Sequence, residues 1–386
     1  MKVLIINQFS NGKKHFGHKR HIYILDHLNK IKGVTAKLFT SKRSYVDGRI
    51  LNYRSESNVI ATNVFFKNIG RISKLLSYIE FSLRAFFQTK FKRFDIIFAS
   101  SPNLFSAYIA FLKAKYAKKP FFFEVRDIWP LSLAELGIIK KQGLIYKILR
   151  KIELLLLKNC DVIITTLPNF HLYLRELEID NSCIYIPQLI DYCNIKQQKS
   201  KSYVYVGSAK INHRILEAIE TFNIFNKKNS FRFSLDLFIS GEQSNKLKDI
   251  CNKKKIKNIF FKEIIQDRNE LIDTLSNYKF GITNFDNHDM YKYGISLNKI
   301  NDYIAGGVIP LFPFYVECDH HIKNVSLVPD RTKESLLISL NKSIELTDEE
   351  YQRKVSLCHE ASTYLNPTIH TAQLEKSLKN IQKKYA

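Results

Sequence analysis

The sequence has few of the features that define several common classes of protein. Its 386 residues include six cysteines, which lie far apart and form no Cys-x-x-Cys pair. This spacing argues against a disulfide framework and a zinc site, and it fits a reducing compartment. The opening apolar run is about five residues long, too short for a signal peptide, and no run reaches the ~18 uncharged apolar residues that span a bilayer. The sequence therefore predicts a soluble or peripheral protein.

Acidic residues are also scarce. The chain has 60 Lys and Arg against 36 Asp and Glu, a formal net charge of +24. Residues 1–190 hold 31 of the basic residues and only 13 of the acidic ones. A half this basic predicts an anionic partner: nucleic acid, an anionic membrane or a phosphorylated substrate. Nucleic acid is the least favoured, because the chain has no ribonucleoprotein motif, helix-turn-helix pattern or zinc finger.

Short apolar runs alternate with amphipathic, helix-length segments along most of the chain. This alternation is typical of parallel sheets covered by helices, so the predicted fold class is α/β with doubly wound sheets. The predicted strands are 3–7, 36–39, 95–99, 121–125, 161–165, 203–206, 235–239, 259–261, 280–283 and 308–312.

A polar stretch without periodicity separates two similar halves. We expect a first domain over 1–187, a linker over 188–202 and a second domain over 203–366. One further amphipathic helix follows near residue 371, and no predicted strand comes after it. We expect the segment 367–386 to cross over and pack back on the first domain.

The loop after the first predicted strand is one candidate for binding an anion. It contains Gly17 and His18 among several cations and leads into a helix that begins near Arg20. A glycine-containing loop that feeds a helix N-terminus can offer backbone N–H groups to a phosphate. The spacing matches neither a dinucleotide-binding fingerprint nor a P-loop, so a solvated basic loop is the alternative.

A second candidate follows the strand 121–125. Arg126 and Asp127 come directly after it, and Trp129, the only tryptophan, stands two residues later. Ligands bind at the carboxyl ends of strands in open α/β sheets, so this position favours a functional role. A structural ion pair is the alternative.

A third candidate spans 291–310. Gly294 and Ser296 can form a turn and an N-cap, Lys299 then lies in the first helical turn, and Asp302 follows one turn later. Such a helix suits a nucleoside diphosphate, because N–H groups and a lysine meet phosphate while a carboxylate accepts ribose hydroxyls. The alternative is a capped helix with a surface ion pair.

The second and third candidates together resemble motifs of bacterial family 4 glycosyltransferases, in the subgroup that includes surface-polysaccharide sugar transferases. The matching elements are Arg-Asp-Ile-Trp-Pro at 126–130 and Tyr-Gly-Ile-Ser-x-Asn-Lys-x-x-Asp-Tyr-x-Ala-x-Gly at 293–307. Weaker landmarks stand at 100–102, 205–208 and 239–241, so the resemblance covers most of the chain.

The resemblance implies a GT-B fold, in which two Rossmann-like domains face each other across a cleft. It implies a retaining, metal-independent transferase of the hexosyl or N-acetylhexosaminyl type that needs no cofactor and uses a nucleotide-diphosphate sugar as co-substrate. The acceptor would be a polyprenyl-diphosphate-linked saccharide of O-antigen or capsule biosynthesis. The first domain would hold the acceptor and the second the donor.

The resemblance also implies roles for individual residues. Arg126 and Asp127 match the catalytic element that faces the reacting sugar. His18 and His21 are assigned to the acceptor, although a lone histidine such as His21 is more often structural. The donor-binding residues are Gly17, Gly294, Ser296, Asn298, Lys299 and Asp302, of which Asp302 matches the ribose-binding carboxylate.

Some positions depart from the family pattern. Leu297 stands where the subgroup usually has proline, and Asp302 where many relatives have glutamate. The usual Arg and Lys that face the diphosphate are absent, and Lys210 and Arg214 are the candidate replacements. This absence keeps a catalytically silent GT-B scaffold open as an alternative. Among enzymes, the alternative is a nucleotide-sugar epimerase of GT-B fold, although the Glu and His pattern of that family is not visible in the sequence.

The basic first domain gains a function from the resemblance. Its cations are interleaved with aromatic residues and leucines, as expected for a surface that rests on anionic lipid. We therefore expect a cytoplasmic protein, peripheral on the inner face of the cell membrane. Solvated helix surfaces are the alternative. The cations are Lys90, Lys92, Arg93, Lys113, Lys115, Lys118, Lys119, Lys140, Lys141, Lys147, Arg150 and Lys151.

Overall fold

The chain folds into two compact units. The structure is a computed structural model that describes residues 1–12, 19–45, 48–53, 56–67, 70–181, 183–208, 214–240, 243–331 and 335–385. Unit 1 comprises Met1–Leu189 with Pro367–Ala386, and unit 2 comprises Ile190–Asn366. Each unit is built on one parallel sheet, so the predicted α/β class is confirmed.

Unit 1 contains a seven-stranded sheet in the order β3-β2-β1-β4-β5-β6-β7. Its elements are β1 (Lys2–Ile6), α1 (Arg20–Lys30), β2 (Thr35–Ser41), β3 (Val59–Thr62), α2 (Arg71–Gln88), β4 (Ile96–Ser100), α3 (Leu104–Tyr116), β5 (Phe121–Val125), α4 (Leu131–Glu135), α5 (Leu144–Asn159), β6 (Val162–Thr165), α6 (Phe170–Glu176), β7 (Cys183–Tyr185) and, at the end of the chain, α14 (Pro367–Tyr385).

The central strands of unit 1 are apolar because both faces of the sheet are covered. Phe122 of β5 packs in the same core as α1 and α14. The neighbouring Phe121 points the other way and meets Phe111 of α3 edge to face, with ring centroids 5.5 Å apart. Alternate residues of one strand therefore contact helices on opposite faces.

The last helix belongs to unit 1. Leu374 and Leu378 of α14 are buried in the core that holds Val3 and Ile24. The helix packs beside α1, so the two ends of the sequence share one hydrophobic core.

Unit 2 contains a five-stranded sheet in the order β10-β9-β8-β11-β12. Its elements are β8 (Lys201–Ser208), α7 (Ile215–Lys228), β9 (Leu235–Ser240), α8 (Gln243–Lys253), β10 (Ile259–Phe261), α9 (Arg268–Leu275), β11 (Tyr278–Ile282), α10 (Asn298–Ala305), β12 (Ile309–Leu311), α11 (His320–Val325), α12 (Leu336–Glu345) and α13 (Asp348–Tyr364). The strand order reverses between β8 and β11, and this switch point is where open α/β sheets bind ligands.

The structure differs from the sequence-based expectations in its edge strands and in the segment expected to be a linker. All ten predicted strands are present, but the short edge strands β3 and β7 were not predicted. The expected linker is largely part of unit 2, where the Asn194 N–H donates to the Ala305 carbonyl and Lys199 Nζ donates to the carbonyls of Ser276 and Gly306. Its polar side chains satisfy backbone groups, which explains why the segment lacks apolar periodicity.

Candidate functional site

Lys299 lies at the carboxyl end of β8, at the switch point of unit 2. It occupies the first turn of α10, and its Nζ donates a hydrogen bond to Tyr205 Oη over 3.0 Å. Gly207 makes this approach possible, because a Cβ at that position would stand 3.3 Å from Lys299 Nζ. The strand end, the glycine and the helix N-terminus thus surround one ammonium group.

The charge of Lys299 is not compensated within the described part of the chain. No described carboxylate lies within ion-pair distance of Nζ, and burial lowers the pKa of the ammonium to about 7. Close by in sequence, the hydroxyl oxygen of Ser296 is buried and has no hydrogen-bond partner among the described residues. A cation and a hydroxyl at a helix N-terminus form an environment that favours an anionic group.

Tyr303 fixes α10 against the sheet. Its hydroxyl accepts the Val206 N–H over 3.0 Å and donates to the Ile282 carbonyl over 3.1 Å, so it joins the helix to β8 and β11. Its ring lies over Gly281, where a Cβ would approach the ring to 2.6 Å. A glycine in β11 therefore lets the helix come close enough to hold Lys299 at the strand end.

Asp302 is engaged with Arg268 of α9. Arg268 Nε donates to Asp302 Oδ1 over 2.7 Å, and both side chains are buried. Lys299 and Asp302 share α10, but Lys299 hydrogen-bonds to Tyr205 whereas Asp302 pairs with Arg268. The Asp302 carboxylate is also an integral part of unit 2, which the sequence analysis did not anticipate.

The other predicted donor residues occupy the approach to α10. Gly294 is buried with φ at +110°, a conformation that favours glycine. Asn298 is the first helical residue, and the N-cap is Leu297 rather than the expected Ser296. No side chain caps the helix, and the buried Ser296 hydroxyl has no hydrogen-bond partner among the described residues, so the expected cap bond is not formed.

Arg214 lies beside the end of β11. It precedes α7 in a left-handed conformation, and its carbonyl accepts a hydrogen bond from Asn284 Nδ2 over 2.9 Å. Its guanidinium is exposed and forms ion pairs with Glu217 and, over 3.1 Å, with Asp286. Lys210, the second candidate replacement, lies outside the described residues.

In unit 1, Glu124 of β5 is the centre of a buried polar cluster. It accepts hydrogen bonds from Arg20 Nε over 2.8 Å and Ser100 Oγ over 2.5 Å, and its Oε2 lies 2.8 Å from His21 Nε2. Arg20 and His21 hold the pKa of this carboxyl well below its usual range although burial opposes them. The cluster ties the start of α1 to the ends of β4 and β5.

His21 is fully buried in this cluster. Burial lowers the pKa of its imidazole in spite of Glu124, which favours the neutral ring at pH 7. The described geometry therefore gives His21 a supporting position rather than an exposed surface for an acceptor. His18 and Gly17, assigned to the same loop, lie outside the described residues.

Arg126 and Asp127 follow β5 at the carboxyl edge of the sheet. The Arg126 N–H donates to Ser101 Oγ over 2.8 Å, so the residues after β4 position the residues after β5. Arg126 is buried, whereas Asp127 is exposed.

Sequence reasoning missed three residues of these sites: Glu124, Tyr205 and Arg268. Glu124 could have been found, because a charged residue within Phe-Phe-Phe-Glu-Val implies a buried partner. Arg268 stands in no motif, and Tyr205, which opens the landmark 205–208, was given no role there. Only the folded chain brings the two residues to α10.

Three solved structures show what the fold resembles. Sucrose-phosphate synthase from Thermosynechococcus elongatus matches with 12% identity and a TM-score of 0.70, over 98% of each chain. An Anabaena protein in complex with UDP and glucose matches with 12% identity and a TM-score of 0.62, over 98% of this chain and 100% of that one. A protein of Listeria monocytogenes described as a UDP-N-acetylglucosamine 2-epimerase matches with 10% identity and a TM-score of 0.59, over 99% of this chain and 97% of that one.

No protein-family model matches the chain, and no curated protein matches it. The structural likenesses extend over both units and confirm the predicted GT-B fold class. At identities of 10–12% they show the fold alone.

Proposed function

We propose that the chain is a glycosyltransferase that moves a sugar from a nucleotide-diphosphate donor to a lipid-linked saccharide. The observation that carries the proposal is the uncompensated ammonium of Lys299 at the end of β8. A half-buried cation without a counter-ion costs free energy, and an anionic ligand would offset that cost. The donor diphosphate is an anion of this kind.

Unit 2 would hold the donor at the switch point of its sheet. Lys299 and the Ser296 hydroxyl would bind the diphosphate, and Arg214 would add a second cation from the start of α7. The Asp302 carboxylate, fixed by Arg268, would accept a ribose hydroxyl. A carboxylate already held by one partner needs little reordering when it binds another.

Unit 1 would hold the acceptor. An acceptor hydroxyl oxygen would form a bond to the anomeric carbon as the bond from that carbon to the β-phosphate oxygen breaks. The bonding electrons would leave with the diphosphate, and the hydroxyl proton would pass to a phosphate oxygen. Arg126 and Asp127 would face the reacting sugar, and Lys299 would stabilise the leaving diphosphate. We propose retention of configuration and no metal, as the family resemblance implies.

The outer surface of α2, α3 and α5 supports a peripheral membrane location. Within the described part of the chain, no helix has the length and apolar character needed to cross a bilayer. These three neighbouring helices nevertheless expose large apolar side chains among cations. We call them the apolar face: Ile72, Leu75, Ile79, Leu83, Phe86 and Phe87 of α2, Leu112 and Tyr116 of α3, and Leu144, Ile145, Ile148 and Leu155 of α5.

An anionic bilayer fits this face better than a neutral partner. Exposed cations surround it, among them Lys90, Lys115, Lys140, Lys147 and Lys151. Three cations of the predicted set have partners in the protein: Arg150 pairs with Glu153, Lys119 with Asp95, and Lys113 donates to the Phe86 carbonyl. The remaining cations and the apolar side chains together match an interfacial surface.

Calorimetric titration with UDP, GDP, CMP and their common sugar conjugates tests the proposed function. We expect saturable binding of one nucleotide class, followed by release of the free nucleotide from its sugar conjugate when a polyprenyl-diphosphate-linked saccharide is added. A folded protein that binds no nucleotide, or binds one without turnover, would favour the silent scaffold instead.

A further inference from the structure

Four aromatic rings gather at the carboxyl edge of the unit 1 sheet, and we call them the aromatic cluster: Phe9, Tyr45, Tyr78 and Trp129. Phe9 meets Tyr45 and Tyr78 edge to face, with ring centroids 4.9 and 5.7 Å apart. Tyr78 meets Trp129 in the same way at 5.7 Å. Phe9 and Tyr78 are buried, whereas Tyr45 and Trp129 are only half-buried. The inner rings thus support two rings that remain accessible.

Polar groups of both charges border the cluster. Lys74 Nζ lies 3.3 Å from Tyr45 Oη and 4.8 Å from the centre of its ring. Asp127 is exposed, and its charge acts on both Lys74 and Tyr78. The hydroxyl of Tyr78 lies among these groups; it is buried and has no hydrogen-bond partner among the described residues.

An orphaned hydroxyl of this kind suggests a partner that binds here. Tyr78 is only 4% exposed, and leaving a buried hydroxyl unpaired costs about 1–3 kcal/mol. Burial raises the pKa of this phenol, and Tyr45 and Asp127 raise it further, so it stays protonated and can donate. A ligand that brings a hydroxyl to Tyr78 would satisfy it.

The combination of features selects a saccharide ring. A pyranose has a C–H face that packs on aromatic rings and a rim of hydroxyls that bond to charged and phenolic groups. An isoprenoid chain would have no use for Lys74, Asp127 and the Tyr78 hydroxyl. A large anion would be repelled by Asp127.

Helix α2 connects this cluster with the apolar face. Lys74 and Tyr78 stand four residues apart on its inner side. The next residues in sequence, Leu75 and Ile79, lie on its exposed side. The helix is anchored from within, because Gln8 Nε2 donates to the Ser77 carbonyl and Asn103 Nδ2 to the Tyr78 carbonyl. The apolar face and the aromatic cluster thus lie on opposite sides of α2. If the lipid of an acceptor rested on the apolar face, its saccharide could reach the aromatic cluster across the width of this one helix.

We propose that Tyr45 and Trp129 stack on a pyranose ring of the acceptor while Lys74, Asp127 and the Tyr78 hydroxyl bond to its hydroxyl groups. This inference rests on the proposed function and names the part of the acceptor that unit 1 recognises. In this proposal these residues contact the acceptor, and His21, which is buried against Glu124, does not.

The single tryptophan makes the inference directly testable, since all indole emission comes from Trp129. The full-length protein is titrated, without nucleotide, with methyl glycosides of glucose, galactose, N-acetylglucosamine and N-acetylgalactosamine. Sorbitol and farnesyl phosphate serve as polyol and isoprenoid probes. We expect a saturable change in emission with at least one glycoside and none with sorbitol.

Variants identify the groups responsible. Tyr78→Phe and Lys74→Met should each weaken glycoside binding about tenfold, the loss of one good hydrogen bond. The matched controls in unit 2 are Tyr351→Phe, which also removes a buried hydroxyl without a partner among the described residues, and Lys257→Met, which removes an exposed charge. Both controls should leave glycoside binding unchanged.

Several results would overturn the inference: no glycoside alters the emission, farnesyl phosphate alone does so, or the Tyr78 and Lys74 variants bind as well as the controls. Nucleotide binding measured in parallel separates the two proposals. Normal nucleotide binding and turnover without a glycoside response would refute only the acceptor subsite. A glycoside response in a protein that binds no nucleotide would refute the proposed transfer and leave the sugar site.

Discussion

The Lys299 ammonium is expected to lower the stability of the folded protein and to strengthen the binding of an anionic ligand. Its ammonium is held against Tyr205 and Gly207, and no carboxylate in the described ranges neutralises it. The free energy of folding would be more favourable with a neutral side chain of the same length. A destabilising group at the switch point of a sheet is expected where a ligand supplies the missing charge.

The pH dependence of Lys299 gives opposite signs for stability and binding. Its pKa is lowered from the ordinary value to about 7, so above pH 7 the unfolded chain binds more protons than the native chain. The contribution of this residue to the free energy of unfolding should therefore rise between about pH 7 and 10. Nucleotide affinity should fall over the same range as the ammonium is lost. Thermal unfolding and calorimetry at several pH values, with Lys299→Met as reference, measure both effects, and parallel trends in the two would contradict this assignment.

Asp302 carries a structural as well as a proposed binding role. Asp302→Ala removes the carboxylate 2.7 Å from Arg268 but leaves that of Asp191 at 3.9 Å, so it should lower the free energy of unfolding by about 1–3 kcal/mol. Asp302→Asn keeps an acceptor for Arg268 and should lose less stability, while both variants lose nucleotide affinity. Urea denaturation checks the first statement, and an Asp302→Ala protein as stable as the native one would show that the ion pair contributes nothing.

At the scale of elements, the position of α10 depends on a close approach to β11. Gly281→Ala would place a methyl group 2.6 Å from the Tyr303 ring and push the helix away. We expect a loss of about 1–3 kcal/mol in stability and weaker nucleotide binding, because Lys299 moves with the helix. Tyr303→Phe removes only the hydroxyl bridge and serves as the comparison. Unchanged stability of the Gly281→Ala protein would mean that α10 adapts without cost.

The apolar face makes a prediction for α2. The double variant Ile72→Ser with Phe87→Ser removes two of its most exposed side chains, both 77% exposed, and should weaken binding to phosphatidylglycerol vesicles while leaving the fold intact. Ile224→Ser, on an exposed position of α7 in unit 2, is the matched control. Vesicle flotation measures the effect. Equal flotation of both proteins, or a change from dimer to monomer in the α2 variant, would assign the face to another partner.

At the scale of the whole molecule, features that depend on local sequence patterns could be predicted, whereas contacts between residues far apart in the sequence could not. The buried strands were predictable because each is a short apolar run, whereas the edge strands β3 and β7 are three or four residues long and partly exposed. The position of Lys299 after a turn was predictable from its motif. Its neighbour Tyr205 lies 94 residues away in sequence, and Arg20 is separated from Glu124 by 104 residues. No spacing rule relates such pairs, so the polar networks of both units emerge only from the fold.

The proposed transfer depends most directly on Lys299, and one paired measurement tests it. Thermal unfolding of the native protein, Lys299→Met and the charge-matched Lys257→Met is followed with and without the nucleotide identified by calorimetry. We predict that Lys299→Met unfolds at the same or a higher temperature without ligand, because a buried charge has been removed, and that its ligand-induced stabilisation disappears. Lys257→Met should respond to ligand like the native protein. A Lys299→Met protein that is stabilised by the nucleotide as strongly as the native one would contradict the proposed donor site.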